Sequence, residues 1–439
     1  MILSRLGFML CFPLLVAGAV HAETVFPIQV SQDRRFFEDA DGRPFLVHGD
    51  TAWSLIAELG RGDVETYLLD RSKRGFNAVL VNLIEHYFSS NAPRNAYDEL
   101  PFTKEAFGAL NPKYFDHAAW VIERAQKLGQ VVFLAPAYLG VNGGDQGWFA
   151  EAQLAGPDKI EAYGKAIAQR FSKFPNIVWV LGGDFDAPDR ELVSKLAEGI
   201  AAISPHALQT VHSGRDTNTS EIWKDQSWLA IDTVYTYNDV HKALLDRSKS
   251  GEMPVVLLEG AYEYERETTA RMIRRNAYGA LLGGAAGQFL GNNPIWHFSG
   301  PGVFASDQTW KQALTSPGAQ SMSVMKALLD KIPWSELKPD RKNEISGVVG
   351  SYAAALPDRR LIMIYGDADG FKLKKGIIAQ GQQAVWVDPA SGGFLPSKTP
   401  QINGELGIYS PPDDRKNVNN SDWILLISSP EQLKIIQKK

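Results

Sequence analysis

The feature that most constrains this chain is a repeated change of hydrophobic period. Short, almost continuously apolar runs alternate with longer segments whose apolar residues recur at helical spacing. The runs are Pro44 to Gly49, Phe76 to Leu83, Val131 to Ala135, Ile177 to Leu181, Ala207 to His212, Leu229 to Tyr235, Val255 to Leu258 and Ala285 to Leu290. Helix-like segments lie near Asp63 to Arg74, Pro112 to Leu128, Asp158 to Ser172, Asp189 to Ile203, Asp239 to Ser248, Glu267 to Leu282 and Gln320 to Leu329. A strand that is apolar on both sides must be covered on both sides, which a parallel sheet wrapped by helices achieves. Units of roughly 30 to 50 residues repeated in this way predict an α/β fold, a (β/α)8 TIM barrel. Ahead of it, Arg35 to Phe45 reads as a small hairpin around the Asp41-Gly42 turn. Beyond Pro339 the strand-like runs Gly350 to Ala353, Leu361 to Tyr365, Ala384 to Val387 and Trp423 to Ile427, separated by turn residues, predict an all-β sandwich. The linker falls around Ile332 to Lys342.

The first residues place Arg5 ahead of an apolar run that ends in Val20-His21-Ala22, just before Glu23. This is the pattern of a secretory signal peptide, so the expected division is 1–22 signal, 23–338 barrel and 339–439 sandwich, in a secreted or periplasmic protein. The only cysteine, Cys11, leaves with that signal, which excludes a disulfide, a thiolate nucleophile or a thiolate metal ligand from the mature chain. With 45 basic and 50 acidic residues the formal charge is -5, and no basic stripe suited to phosphates stands out, so nucleic acid is not an expected partner. Nothing after the signal supplies the run of about 18 apolar residues that integral membrane association requires.

In such a barrel the chemistry-bearing side chains leave the C-terminal ends of the strands. Here those ends carry Asp50 and Trp53; Asn82, Glu85 and His86; Tyr138; Asp184 and Asp186; His212; Tyr235 and Tyr237; Glu259 and Tyr262; and Trp296. Rings stack on the C–H faces of sugars, and carboxylates and amides take sugar hydroxyls. Hydrolysis of a glycosidic bond needs two carboxyl groups, one to protonate the leaving oxygen and one to attack the anomeric carbon or activate water. Asp184 follows Ile177 to Leu181 through two glycines, and Glu259 follows Val255 to Leu258 directly, so these two are the catalytic candidates. Asp50, Trp53, Asn82, Glu85, His86, Asp186, His212, Tyr235, Tyr237, Tyr262 and Trp296 are the candidate substrate contacts, with an oligo- or polysaccharide as partner and no cofactor or metal.

Each of these residues also has a plain structural reading. Asp184 is placed to cap its Gly-rich turn, Asp50 to brace the strand-one turn, and Glu263 and Glu265 to serve as helix-entry charges. His48 and His212 read as satisfied histidines at the barrel mouth, Trp120 and Trp179 as core, and Trp148 as a second cleft-lining candidate beside Trp53 and Trp296. A metal-dependent hydrolase would draw on His48, Asp50 and His212, but strand six ends without a histidine and strand eight without an aspartate, leaving that shell incomplete. A secreted glycan-binding protein with an inert barrel is the reading from a different class.

Four stretches carry a resemblance: Phe37 to Trp53, Arg74 to Val79, Gly182-Gly183-Asp184, and Leu258-Glu259-Gly260-Ala261-Tyr262-Glu263. Together they resemble the apiosidase-like glycoside hydrolases. The closing segment, with Ala384 to Pro389, Tyr409 to Pro412 and Asp422 to Leu425, is similar to the β-sandwich, labelled a collagen-binding domain, that often follows such barrels. The resemblance implies an exo-acting (β/α)8 glycosidase with its acid/base at Asp184 and its nucleophile at Glu259.

Overall fold

The computed structural model describes residues 24–346, 351–367, 370–412 and 421–438. The expected signal segment 1–22 with Cys11 lies outside these residues, as does Gly350 of the first sandwich run. Eight parallel strands form the barrel: β1 (Val47–Thr51), β2 (Ala78–Asn82), β3 (Val131–Ala135), β4 (Ile177–Gly182), β5 (Gln209–His212), β6 (Asp232–Tyr235), β7 (Val255–Glu259) and β8 (Gly287–Leu290). Their order is β5-β4-β3-β2-β1-β8-β7-β6. The seam between β5 and β6 is joined by a bridge from Gln209 to Leu229 and by the hydroxyls of Thr210 and Thr233, which donate to the carbonyls of Ile231 and Val211. Side-chain hydroxyls thus replace part of a main-chain ladder.

Alternation along each strand separates an inner core from an outer one. Val47, Leu80, Phe133, Val178, Val180, Val256, Leu258 and Phe289 fill the barrel, while Val79, Val81, Val132, Leu134, Trp179 and Leu181 face the helices. The helices include α1 (Arg61–Lys73), α2 (Pro112–Lys127), α3 (Pro157–Phe171), α4 (Glu191–Ile203), α5 (Val240–Arg247), α6 (Ala270–Leu282) and α7 (Pro317–Leu329). Their boundaries follow local chemistry: Asn111, Asp239, Thr269 and Ser316 each cap a helix with a side-chain oxygen, and Pro112, Pro157 and Pro317 sit in first turns where no N–H is needed. The expected first strand divides in two. Pro44–Phe45 joins a three-stranded antiparallel meander with Gln29–Val30 and Phe37–Glu38, and only from Val47 does the chain enter the barrel. Phe37 and Phe45 of the meander pack into the inner core with Val131 and Ile231, closing the barrel at the N-terminal ends of its strands.

Beyond the barrel an antiparallel sheet is built from Lys338–Pro339, Tyr352–Ala355, Leu361–Asp367, Asp422–Ser428, Gln383–Val387 and Phe394–Pro396, in that spatial order. A three-stranded sheet of Phe371–Lys374, Leu406–Tyr409 and Gln401–Asn403 packs on one face, enclosing Ile362, Ile364, Trp386, Trp423, Leu425 and Ile427. The other face, with Met363, Tyr365, Val385, Val387, Ile424 and Leu426, packs on Ile273, Ala277, Tyr278 and Leu281 of α6 and on Met322, Met325 and Leu329 of α7. Burial on both faces explains why Leu361 to Tyr365 and Trp423 to Ile427 are apolar without alternation. A buried ion pair pins the junction: Arg274 on α6 donates two hydrogen bonds of 2.7 Å to Asp422, and the Tyr365 hydroxyl donates to the same carboxylate at 2.8 Å. Breaking such a pair by deleting one partner costs about 3–5 kcal/mol, because the other charge is left buried.

Removing the chain from Pro339 onward would expose the apolar faces of α6 and α7 together with Arg274. The truncated barrel is expected to be recovered mainly as aggregate, measured as the soluble fraction and its size-exclusion profile; a soluble truncation with unchanged activity would contradict this packing argument.

Candidate active site

The C-terminal ends of the strands open on a cleft of about 990 Å³, at the upper end of the size range of small-ligand pockets. Its wall is aromatic. Trp53, Phe88, Tyr138, Tyr262 and Trp296 line the cleft, with Phe88 and Trp296 edge to face at 5.0 Å and Trp53 and Tyr138 tilted at 6.3 Å. Their polar edges are satisfied among neighbours: Trp53 Nε1 donates to the Tyr262 hydroxyl at 3.0 Å, and Trp296 Nε1 donates to Glu265 at 2.8 Å. Tyr235 and Tyr237 also line the cleft, their hydroxyls 3.3 Å apart. Burial and the charge of Glu259 push the Tyr237 phenol up to about 12. Arg215 and Arg266 each place a guanidinium over the Tyr237 ring, 5.2 and 5.3 Å from its centre.

Asp184 is delivered by a turn in which Gly182, Gly183 and Asp184 all have positive φ, at 77°, 134° and 50°. Only glycine fits the middle position, where a Cβ would lie 2.5 Å from the Tyr138 ring and 2.8 Å from the Leu139 amide. Asp184 itself takes the left-handed conformation, a strain that functional turns commonly hold. Burial raises its pKa to about 6; the Glu259 charge adds to the rise, and the His212 ring works against it.

Glu259 depends on an irregularity that alternation alone does not anticipate. Val256 and Leu258 point into the barrel, so strict alternation would turn Glu259 outward. The register with β6 slips between Leu257 and Glu259, which pair with the consecutive residues Val234 and Tyr235. This bulge returns the carboxylate to the cleft, where Glu259 Oε2 lies 2.8 Å from His212 Nε2. The other nitrogen of the same ring, Nδ1, accepts the Asp184 backbone N–H at 2.8 Å. An Nδ1 lone pair used in this way leaves Nε2 as the protonated nitrogen, so the neutral ring donates to Glu259. Burial opposes a positive ring while the surrounding carboxylates favour one, with a net upward pull on the His212 pKa. The added proton has only Nδ1 to occupy, at the expense of the Asp184 amide bond.

The cleft thus brings together Asp184, Asp186, Glu259, His212, Asn82, Trp53, Tyr235, Tyr237, Tyr262 and Trp296. Asp186 is partly committed to holding the loop after β5, accepting from the Gly214 amide at 3.1 Å and the Thr217 hydroxyl at 2.6 Å. Three expected contacts lie elsewhere. Asp50 is a residue of β1 facing outward, fully buried against Arg71 and the Tyr67 hydroxyl, because the strand begins at Val47 and alternation places Gly49, not Asp50, inside. Glu85 spends its carboxylate on Ser54 of the loop after β1, on Asn82 and on the amides of His86 and Phe88. His86 turns away to Glu151, 3.0 Å distant, and to the edge of Trp148. Trp148, in turn, belongs to the outer core and not to the cleft. His48 faces outward as well, stacked on Phe76, so His48 and Asp50 cannot meet His212 at a shared ligand.

Two glutamates differ from the helix-entry reading. Glu263 is buried at the start of α7, accepting from the Gly318 amide at 2.7 Å and from Asn292 at 3.0 Å, and so serves a helix other than the one that follows it. Glu265 lines the cleft. Its only signal in the sequence was position, six residues beyond Glu259 in the loop after β7.

A parallel barrel whose mouth sets acidic side chains among aromatic rings has the parts a glycoside hydrolase needs, and comparison with solved structures shows the same fold. A structure described as a glycoside hydrolase superposes with a TM-score of 0.78 at 23% identity, covering 92% of this chain and 97% of its own. A family 5 glycoside hydrolase from Bacteroides vulgatus ATCC 8482 gives 0.78 at 23%, over 93% and 95%. A family 5 mannosidase from Rhizomucor miehei shares the barrel more distantly, at 0.50 and 12%, over 68% and 96%. No curated protein sequence matches this chain. Residues 31–336 match the family described as apiosidase-like, catalytic domain, and the chain belongs to that family.

His212→Ala removes both bonds that tie the Asp184 turn to Glu259. Misplacement of reacting groups by about 1 Å costs on the order of 100-fold. The variant is expected to fold, as judged by circular dichroism, and to lose at least that factor in kcat with a smaller change in KM.

Proposed function

We propose that this enzyme removes a terminal sugar, apiose-like by family, from an oligo- or polysaccharide outside the cytoplasm, by a retaining mechanism with Asp184 as acid/base and Glu259 as nucleophile. The observation that carries the reading is the double use of His212, which holds the Asp184 backbone at one nitrogen and the Glu259 carboxylate at the other. Asp184, with its pKa raised to about 6, is suited to protonate the leaving oxygen. Glu259 has one oxygen fixed by the imidazole N–H, and the other, Oε1, takes no hydrogen bond from the described residues. That oxygen is free to attack the anomeric carbon. The chemistry proposed uses no metal or cofactor, and export rests on the signal pattern of residues 1–22.

Retention is the mechanism proposed: a separation of about 5–5.5 Å between the two carboxyl groups corresponds to double displacement, and roughly 6.5–9.5 Å to inversion through a water. A second reading, a different terminal sugar on the same machinery, draws support from Tyr235 and Tyr237, which add two phenols to the lining of the cleft. A screen of a glycan panel for released monosaccharide distinguishes the two sugars. The mechanism is tested by NMR of the first-formed product, whose anomeric configuration is expected to be retained; an inverted product would remove Glu259 as nucleophile. Glu259→Gln is expected to abolish turnover, while Asp184→Asn is expected to spare the first step for substrates with activated leaving groups, which need no proton.

The pH dependence follows from the sign of the Asp184 shift. The acid acts only when protonated, so kcat/KM is expected to fall as pH rises through about 6. That limb should disappear for Asp184→Asn acting on an activated substrate, and a profile flat from pH 5 to about pH 8 in the native enzyme would contradict the assignment.

A further inference from the structure

Glu265 is 8% exposed, and the part that remains open faces the cleft. Its Oε1 accepts the Trp296 indole N–H at 2.8 Å, while Oε2 takes no hydrogen bond from the described residues. Oε2 is not sealed inside the protein but opens on the cleft, where a hydroxyl donor or an ion pair would satisfy it. The adjacent Arg266 does not supply one. Its guanidinium lies over the Tyr237 and Phe304 rings, 5.3 and 5.4 Å from their centres.

The backbone that holds Glu265 inward is itself strained. Tyr264, Arg266 and Glu267 all have positive φ, at 70°, 46° and 62°, and none is glycine. The turn closes on itself through Glu265 N–H to the Tyr262 carbonyl at 3.1 Å and Thr268 N–H to the Glu265 carbonyl at 2.8 Å. Strain of this kind persists at ligand clamps, where the surrounding structure over-determines it. A half-satisfied carboxyl, held by a strained loop against the edge of a cleft tryptophan, has the geometry of a hydroxyl acceptor.

We propose that Glu265 is a substrate-binding residue that accepts a hydroxyl of the sugar stacked on Trp296, and that it thereby selects which terminal sugars the cleft admits. The inference rests on the proposed removal of a terminal sugar and deepens it, adding a third carboxyl with a role distinct from those of Asp184 and Glu259. The same hydrogen bond that orients the indole plane sets the carboxyl beside it, so one pair supplies both the stacking face and the polar contact.

The test compares Glu265→Gln and Glu265→Ala with the native enzyme on a panel of 4-nitrophenyl pentosides and hexosides, reading kcat and KM separately. Glutamine keeps an acceptor for Trp296 but loses a carboxylate oxygen for the sugar. It is expected to raise KM roughly tenfold with little loss of kcat, alanine to raise it further, and both to flatten the preference among sugars. A glutamine variant indistinguishable from the native enzyme would make Glu265 a prop for Trp296 and overturn the proposal. A loss of kcat on unactivated glycosides that recovers on nitrophenyl substrates would overturn it in favour of an acid role. Titration of free D-apiose, D-xylose, L-arabinose and D-galactose, followed by tryptophan fluorescence, separates this inference from the hydrolysis reading. Binding that weakens in both variants upholds it even where no glycoside is cleaved, and binding that is absent or unchanged by Glu265→Gln overturns it even where cleavage stands.

Discussion

Two hydrogen bonds to a single imidazole organise the cleft. His212 ends β5, between the strand that carries Asp184 and, across the seam, the strand whose neighbour carries Glu259. Its ring is stacked on Tyr235, 5.2 Å away and nearly parallel, and flanked by Trp53 at 5.5 Å. The aromatic wall therefore fixes the imidazole, and the imidazole fixes the acidic groups. This order of dependence matters because the Asp184 turn is built from left-handed residues and would gain freedom without the amide bond.

The barrel was legible because strands covered on both sides cannot hide their composition, and the helices because their caps and prolines are local signals. The site was most directly legible where a side chain lies on the inner face at the end of an inner-facing series, as Asn82 does after Ala78 and Leu80. Asp50 lies elsewhere because the apolar run looks finished at Gly49, whereas β1 continues to Thr51 and keeps Asp50 inside the strand on its outer face. Glu259 reached its expected place for a reason the sequence does not display, since the bulge after Leu257 reverses the phase that alternation would have given it. Glu85 and His86 illustrate a different difficulty. Their partners, Ser54 and Glu151, are distant in sequence, and a loop carboxylate that turns inward to its own amides looks the same in sequence as one that faces a ligand.

No described residue of the sandwich lines the cleft, yet the domain is not a passive appendage. The central strands of its larger sheet are covered on one side by the partner sheet and on the other by α6 and α7. Besides Arg274, α6 also reaches it through Arg271 to Asp367 and Arg275 to the Tyr352 hydroxyl. The apolar contacts supply the area and the ion pairs the registration.

The position of α6 in the chain gives that junction mechanical meaning. Between Glu259 at the end of β7 and Ala270 at the start of α6 runs the strained loop that carries Glu265. A loop held in an unfavourable shape relaxes if either end yields. One end is anchored in the barrel wall, and the other in a helix clamped by the second domain. The sandwich therefore acts as a vise on the jaw of the cleft, and wear at the Arg274–Asp422 bolt would be felt first as play in the loop between Tyr262 and Thr268.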